Sequence, residues 1–181
     1  MIYVVVALMA EASFLIDKFS LKKSVSKPFA IYKNYDILMI VSGVGTINSA
    51  IATSFLLSNH PAPKKIINFG IAGSNSHIKV GEIKRVKKIV DLCSNRVYHL
   101  HCGEASISTV PKEIDNPNKI KTDLVDMESS GFYLSAKKFI DENKIEIYKI
   151  VSDHFEPDSL DRKKIETLIK TNINKIAKVL V

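Results

Sequence analysis

The chain is poor in the residues and runs that mark specialised classes of protein. Only seven glycines and six prolines occur among 181 residues, which excludes collagen-like and low-complexity chains. Eight residues separate its two cysteines, Cys93 and Cys102, a spacing that fits neither a C-x-x-C pair nor a disulfide framework, so free thiols are expected. The N-terminal apolar run, Ile2 to Met9, is too short to span a bilayer and lacks a signal-peptide cleavage pattern. A cytoplasmic protein without membrane contact is expected.

Positive charge is present in excess but is not concentrated. The 26 Lys and Arg residues against 19 Asp and Glu give a net charge of +7. The lysine doublets are scattered along the chain and predict a solvated surface, not a nucleic-acid-binding stripe. They lie at Lys22-Lys23, Lys64-Lys65, Lys87-Lys88, Lys137-Lys138 and Lys163-Lys164. The excess could still steer an anionic substrate towards the protein.

Hydrophobic periodicity predicts alternating strands and helices in a single domain over residues 1–181. We expect strands at 2–8, 30–32, 37–41, 66–69 and 145–151, with two more between 83 and 100. Helices are expected over 10–19, 46–57 and 126–141, and from Asp158 onwards with Asp158 or Ser159 as the cap. A tight turn is expected at Gly70 to Gly73, and a loop from Ser106 to Asp123.

This order of elements predicts the α/β class, as a three-layer α/β/α sandwich around a mixed central β-sheet. Ligands of such sheets bind outside the carboxyl ends of the strands. The predicted strand ends carry polar or glycine-rich segments at Glu11, Ser42 to Gly45, Gly70 to Gly73, and Ser152-Asp153. The sequence therefore predicts a site where these segments converge.

Taken singly, these motifs are ambiguous. Gly43-Val44-Gly45 lacks the third glycine of a dinucleotide fingerprint and the Lys-Ser/Thr of a P-loop, so a bare strand-to-helix turn explains it equally well. Glu11, Glu128 and Asp153 each lie between an apolar element and a loop, where acids commonly cap or remain solvated. Asp126 is placed to cap the helix after it.

Taken in order, the segments resemble the purine nucleoside phosphorylase and nucleosidase superfamily, most closely its methylthioadenosine/S-adenosylhomocysteine nucleosidase branch. Six stretches carry the resemblance across most of residues 1–155. They are Ala7 to Ala12, Val41 to Ala50 (VSGVGTINSA), Ile67 to Gly73 with Ile78 to Ile83, Gly103 to Ile107, Asp126 to Ser129 (DMES) and Ile150 to Asp153 (IVSD).

The resemblance implies cleavage of a ribosyl C–N bond, a reaction that passes through an oxocarbenium-like state. It implies that Asp153 donates a proton towards purine N7, and that Glu11 activates the attacking water. Glu128 would accept hydrogen bonds from the ribose hydroxyls. The resemblance also implies that Met127 packs against the sugar and that the backbone of Ser106 and Ile107 contacts the purine edge. Ser152 would help to hold Asp153. Four more residues are implied to contact the substrate, and these are Gly43, Ile71, Ala72 and Gly73.

The same resemblance leaves hydrolysis and phosphorolysis to be distinguished. Hexameric phosphorylases hold phosphate with an arginine and a Ser/Thr where this chain has Phe69 and Ile71, and Arg85 or Lys149 could compensate only if the fold brought them close. With Glu11 present, hydrolysis is favoured. A phosphorylase and a non-catalytic nucleoside-binding protein remain the alternatives. No cofactor or metal is expected, because the five histidines lack ligand spacing, and the resemblance implies a homodimer.

Two departures from the family leave the substrate open. The chain is shorter than a typical member, and the shortening falls between about Glu82 and Lys121. Ser106 also stands where the family has the aromatic residue that stacks on the purine. Phe155 or Phe132 could take that place. The expected substrate is therefore an adenosine derivative whose 5′-substituent is not specified.

Overall fold

The computed structural model describes residues 1–75, 77–114, 120–156 and 159–181. These residues form ten strands and four α-helices. The strands are β1 Ile2–Val6, β2 Lys22–Val25, β3 Ala30–Lys33, β4 Ile37–Val41, β5 Lys65–Ser74, β6 Ile83–Asp91, β7 Arg96–His99, β8 Ala105–Thr109, β9 Leu124–Asp126 and β10 Ile145–Asp153. The helices are α1 Met9–Lys18, α2 Thr46–Asn59, α3 Ser129–Ala136 and α4 Arg162–Leu180.

The strands form one mixed sheet that is open on one side and closed on the other. The open side runs β2–β3–β4–β1–β5, with β1 parallel to both β4 and β5. Beyond β5 the sheet continues through β10, β6, β8 and β9 and returns to β5, so these five strands close on themselves. β7 pairs with β6 outside this ring.

The two faces of the sheet carry separate apolar cores. On one face α2 and α3 pack on the sheet, and Leu56 of α2, Phe132 of α3 and Tyr3 of β1 are almost fully buried there. On the other face α1 and α4 pack on the sheet, and Ile169 of α4 and Phe69 of β5 are fully buried. Helices therefore cover both faces, and the predicted three-layer α/β/α sandwich around a mixed sheet is confirmed.

Several element predictions are confirmed and others are corrected. The strands predicted at 30–32 and 37–41 are present as the antiparallel pair β3–β4, the two strands between 83 and 100 are present, and both cysteines are exposed free thiols. The tight turn at Gly70 to Gly73 is wrong, because these residues continue β5 and pair with β10. The loop from Ser106 to Asp123 is wrong at its start, because Ser106 lies in β8.

The helix ends also differ from the predicted ones. The third helix is confined to Ser129–Ala136, because Asp126 still pairs in β9 and a separate 3₁₀ turn, Glu142–Lys144, follows later. The last helix begins at Arg162, where the Asp161 carboxylate accepts a hydrogen bond from Lys164 N. Asp161 is thus the cap in place of Ser159, and Asp158 lies outside the described residues. No helix in the described ranges has the length and apolar character needed to cross a membrane.

Candidate active site

A cavity of about 140 Å³ lies where the carboxyl ends of several strands meet. Its walls come from the residues that follow β1, β4, β8 and β9, and from the C-terminal parts of β5 and β10. The parallel strands β1, β4, β5 and β10 bring their carboxyl ends to one edge of the sheet. β9 pairs antiparallel with the end of β5, so the residues that follow β9 run back to the same place. Glu11, Glu128 and Asp153 all line this cavity, so the fold brings the three predicted acids together.

Glu11 enters the cavity from the first turn of α1. Its Oε2 accepts hydrogen bonds from Ala7 N (3.0 Å) and Leu8 N (2.9 Å), at the strand-to-helix junction. Its Oε1 accepts from Ile71 N at 2.9 Å, which ties α1 to β5. Burial raises the pKa of Glu11, although the three N–H donors and Lys149 oppose that rise. A buried carboxylate of increased basicity suits a group that takes a proton from water.

Glu128 lies between β9 and α3, and it is only 7% exposed. The turn at Gly45, which has a φ of +104°, directs the Gly45 backbone N–H towards the Glu128 Oε1 at 2.9 Å. Burial, opposed by Lys149 but reinforced by Asp126, raises the pKa of Glu128 to about 7. The Gly43-to-Gly45 segment therefore contributes a donor to a site carboxylate.

Asp153 ends β10 on another wall of the cavity. The Ser152 hydroxyl donates to Asp153 Oδ2 at 2.6 Å, and Glu156 N donates to Oδ1 at 3.0 Å. A Cβ atom placed on Gly73 would come within 3.3 Å of Asp153 Oδ1 and 3.1 Å of Val125. The glycine thus keeps the space beside this carboxylate open, where the sequence suggested that it formed a turn.

Lys149 supplies a buried cation to the same site. It is 1% exposed on β10, and its Nζ lies 2.8 Å from Asp126 Oδ2. Burial alone would lower the pKa of Lys149, but the charges of Asp126, Glu128 and Glu11 outweigh it and raise the pKa. A Cβ on Gly70 would lie 2.9 Å from Glu11 Oε1 and 3.5 Å from Lys149 Nζ. Gly70 therefore permits the close approach of the acid and the lysine.

The wall nearest Asp153 is mostly apolar. It is built from Val110, Ile114, Val125 and Phe155, and Val110, Val125 and Phe155 pack together in a small cluster of their own. Phe155 is 6% exposed and has a φ of +62°, a left-handed conformation that a bulky side chain rarely adopts. Phe155, which follows Asp153 by two residues in the sequence, thus lines the cavity through this left-handed turn of the backbone.

Not every predicted contact residue reaches the cavity. Met127, Ser152, Ile71, Ala72 and Gly73 line it, as does Val44. The structure places three others away from the walls, and these are Ser106, Ile107 and Gly43.

The reason is the position of β8. Ile107 is fully buried in the core, and Ser106 is hydrogen-bonded to the Asp123 carboxylate through its N (2.7 Å) and its hydroxyl (2.7 Å). Because β8 runs from Ala105 to Thr109, the residues that reach the cavity come after it, beginning with Val110. In the structure Val110, and not Ser106 or Ile107, lines the cavity, and the purine contact of Ser106 and Ile107 stays a prediction.

The sequence interpretation also assigned no site role to the Lys149–Asp126 pair, and it offered Phe155 only beside Phe132. The available signal was a lysine within an otherwise apolar stretch of β10. Phe132 is fully buried beneath α2 and does not line the cavity, which leaves Phe155 as the aromatic residue at this wall. Within the described ranges, no cluster of three or more His, Cys, Asp or Glu side chains is arranged to hold a metal ion.

Comparison with known proteins places this arrangement in a family. No family model matches the chain. Over 131 residues it is 34% identical to a 5′-methylthioadenosine/S-adenosylhomocysteine nucleosidase of Buchnera aphidicola subsp. Acyrthosiphon pisum (strain Tuc7), a match that covers 68% of this chain. The chain belongs to the methylthioadenosine/S-adenosylhomocysteine nucleosidase family. The matched segment spans about 55% of the length of that relative.

Solved structures of this family share the fold over nearly the whole chain. The apo 5′-methylthioadenosine nucleosidase of Arabidopsis thaliana superposes with a TM-score of 0.81 at 17% identity, covering 99% of this chain and 95% of its own. The nucleosidase of Neisseria meningitidis in complex with methylthio-immucillin-A gives 0.77 at 17% identity, covering 99% of each chain. A futalosine hydrolase of Helicobacter pylori gives 0.75 at 15% identity, covering 96% of this chain and 97% of its own. Proteins named for different substrates thus share this fold.

Proposed function

We propose that the protein is a purine nucleosidase that hydrolyses the N-glycosidic bond of an adenosine derivative of the methylthioadenosine or S-adenosylhomocysteine type. The observation that carries the proposal is the convergence of Glu11, Glu128 and Asp153 on one cavity. The curated relative is named for this activity and supports the same proposal.

The chemistry needs an acid for the departing base and a base for water. Asp153 is the acid: it protonates the purine as the C–N bond lengthens, and the Ser152 hydroxyl at 2.6 Å holds its carboxyl in place. Charge then develops on the ribose ring, and the negative carboxylates of the site stabilise it. Glu11 removes a proton from the water that adds to C1′.

Glu128 and Met127 position the sugar. Ionised Glu128 accepts hydrogen bonds from ribose hydroxyls, while the Gly45 N–H holds its other side. Met127, which lines the cavity next to it, packs against the ring. Ile71, Ala72 and Gly73 of β5 form the floor between the two ends of the nucleoside.

Charge placement favours water over phosphate as the nucleophile. Ile71 presents an apolar side chain to the cavity, and Phe69 is fully buried in the core. Arg85 pairs with Glu146 at 2.8 Å and does not line the cavity. Lys149 is held by Asp126. Neither of the two cations that could have compensated for a missing phosphate site is therefore available.

The test is release of free base from methylthioadenosine, S-adenosylhomocysteine, adenosine and inosine, each with and without phosphate. We expect phosphate-independent release of adenine from the adenosine derivatives, and the relative rates rank the 5′-substituents. Strict phosphate dependence would assign a phosphorylase. Binding of these nucleosides without release would assign a non-catalytic nucleoside-binding protein.

A homodimer is part of the proposal. Ile47 and Ile51, four residues apart on one face of α2, are 75% and 53% exposed, and Val44 at the cavity rim is 43% exposed. Apolar side chains in such a group are typical of an interface. A second copy that covers this face would also shield the cavity. Sedimentation should show a dimer that Ile47→Glu dissociates, and a monomeric wild-type protein would contradict this part of the proposal.

A further inference from the structure

The ammonium of Lys149 faces three carboxylates but is hydrogen-bonded to one of them. Lys149 and Asp126 have side chains that are each 1% exposed, and 2.8 Å separates Lys149 Nζ from Asp126 Oδ2. Glu128 and Glu11 also interact with this charge. Of the hydrogen bonds recorded for Glu11 and Glu128 in the described residues, none comes from Lys149. The buried ammonium of Lys149 therefore interacts with three carboxylates but is hydrogen-bonded to Asp126.

Asp126 is held in a fixed position by its neighbours. Its Oδ2 accepts from Ser129 N (3.0 Å) and the Ser129 hydroxyl (2.6 Å), and its Oδ1 accepts from the Thr109 hydroxyl (3.0 Å). Together with Lys149, four donors surround this carboxylate. These contacts extend from β8 and β10 to the start of α3. Far more donors converge on Asp126 than a helix cap requires.

The three carboxylates differ in how well their negative charge is stabilised. Glu11 accepts from three backbone N–H groups at 2.9–3.0 Å. Glu128 accepts one hydrogen bond at 2.9 Å, from Gly45 N, and a longer one at 3.4 Å from Met127 N. Both are nearly fully buried, at 2% and 7% exposure. Glu128 is thus the least stabilised of the three.

We propose that Asp126 is a positioning residue that keeps the Lys149 ammonium hydrogen-bonded to itself and not to Glu128, so that protonation of Glu128 governs riboside binding. The inference rests on the proposed function, because it takes Glu128 as the acceptor for the ribose hydroxyls.

The charges that face Glu128 fix the sign of the effect. Burial is the largest influence and raises the pKa of Glu128 to about 7, the repulsion from Asp126 and Glu11 adds to it, and Lys149 and Gly45 N oppose it. Above that pH the carboxylate is ionised and accepts hydrogen bonds from the sugar. Below it the group takes up a proton, one oxygen becomes a donor, and the negative charge that strengthens its hydrogen bonds from the sugar is lost. Riboside affinity should therefore fall as the pH drops below about 7.

The matched test is Asp126→Asn. The amide oxygen can still accept from Ser129 N, but the negative charge beside Glu128 is removed and Lys149 is released towards it. Both changes favour ionised Glu128, so the acid limb of riboside affinity and of kcat/KM should move to lower pH by about one unit. At pH 6 the variant should then retain about fivefold more of its maximal affinity than the wild type does.

The control is Ser129→Ala, which removes one hydrogen bond to Asp126 without changing any charge. The pH below which its riboside affinity and kcat/KM fall should equal that of the wild type. Asp126→Glu keeps the negative charge, so its affinity should also fall near the wild-type pH. If the Asp126→Asn protein loses activity while its affinity and kcat/KM still fall at the wild-type pH, Asp126 acts only as a helix cap and the inference is overturned.

A second measurement needs no variant of Asp126 and no turnover. In ¹³C NMR of the unliganded wild type, with Glu128 assigned by Glu128→Gln, the Glu128 carboxyl should titrate near pH 7. A midpoint near 4.5, the ordinary glutamate value, would overturn the inference whatever the enzyme assays show. A midpoint near 7 in a protein that cleaves no nucleoside would instead contradict the proposed function alone.

Discussion

The cavity has two sides that the chain builds by different means. One side, here called the charged side, consists of Glu11, Asp126, Glu128 and Lys149. All four are buried, Lys149 pairs directly with Asp126, and backbone N–H groups hold Glu11 and Glu128. The other, the apolar side, surrounds Asp153 with Val110, Val125 and Phe155. A group of buried charges and an apolar surface therefore face the same cavity. The positions of the buried charges depend on one another, whereas the apolar residues around Asp153 can change with the substrate while that carboxyl is kept.

The strongest test of the apolar side is Asp153→Asn. The amide cannot protonate the purine, so turnover should fall by about 10³-fold while the fold is unchanged. Base release and thermal unfolding measure the two effects. Ser152→Ala is the matched control: it keeps the carboxyl, loses the 2.6 Å hydrogen bond, and should cost about tenfold. An Asn variant with more than a tenth of wild-type turnover would remove Asp153 from the acid role.

Glu11→Gln tests the charged side at the water. The amide keeps an oxygen acceptor but cannot take a proton, so kcat should fall by about 10²-fold. Affinity for a non-hydrolysable nucleoside analogue should change little, because Glu11 faces the nucleophile. Turnover and equilibrium binding are measured on the same preparation. Equal losses in both would show that Glu11 binds the nucleoside and does not act as the base.

Glu128→Gln tests the charged side at the sugar and should have a smaller effect. Replacing the carboxylate should weaken binding of ribosides by about tenfold, since hydrogen bonds to a charged group are stronger than neutral ones. Binding of free adenine, which has no hydroxyl to offer, should be unchanged. Calorimetry with both ligands gives the comparison. An unchanged preference for ribosides would contradict the sugar contact.

The smallest expected effect tests the aromatic ring on the apolar side. Phe155→Leu should weaken adenine binding by about fivefold if the base stacks on the ring. The chain has no tryptophan, so Phe155→Trp provides a single tryptophan, which is excited selectively over the six tyrosines and whose emission bound adenine should quench. Phe139→Trp, at a side chain that is 46% exposed and does not line the cavity, is the control. Equal quenching in both proteins would exclude stacking on Phe155.

The three acids of the cavity were predictable from sequence, whereas their surroundings on both sides were not. Glu11, Glu128 and Asp153 each lie at the end of an apolar strand and carry a family motif, and the polarity of the parallel strands brings Glu11 and Asp153 to one edge. Glu128 reaches that edge through β9, which runs antiparallel to β5, and no site role was predicted for the Lys149–Asp126 pair. The purine-reading segment was placed at Ser106 and Ile107, whereas the fold presents Val110. Short polar strands such as β8 give little periodicity, so one sequence does not fix which of their residues reach the cavity.

Glycine was the other source of error. Gly70 to Gly73 has the composition of a turn, but in the structure these residues extend β5, and Gly70 and Gly73 leave room for Glu11, Lys149 and Asp153. A glycine required by close approach and a glycine required by a turn look the same in one sequence. The single domain over 1–181, the absence of a cofactor and the cytoplasmic location stay predictions.

The most direct test of the central claim is the identity of the sugar product. Methylthioadenosine is incubated with the wild-type protein in phosphate buffer, and the released sugar is identified by mass spectrometry. Hydrolysis predicts free methylthioribose together with adenine, formed at the same rate when phosphate is omitted. Methylthioribose 1-phosphate as the product would contradict it, because it would require a phosphate site where the structure has Ile71 and a lysine already paired with Asp126.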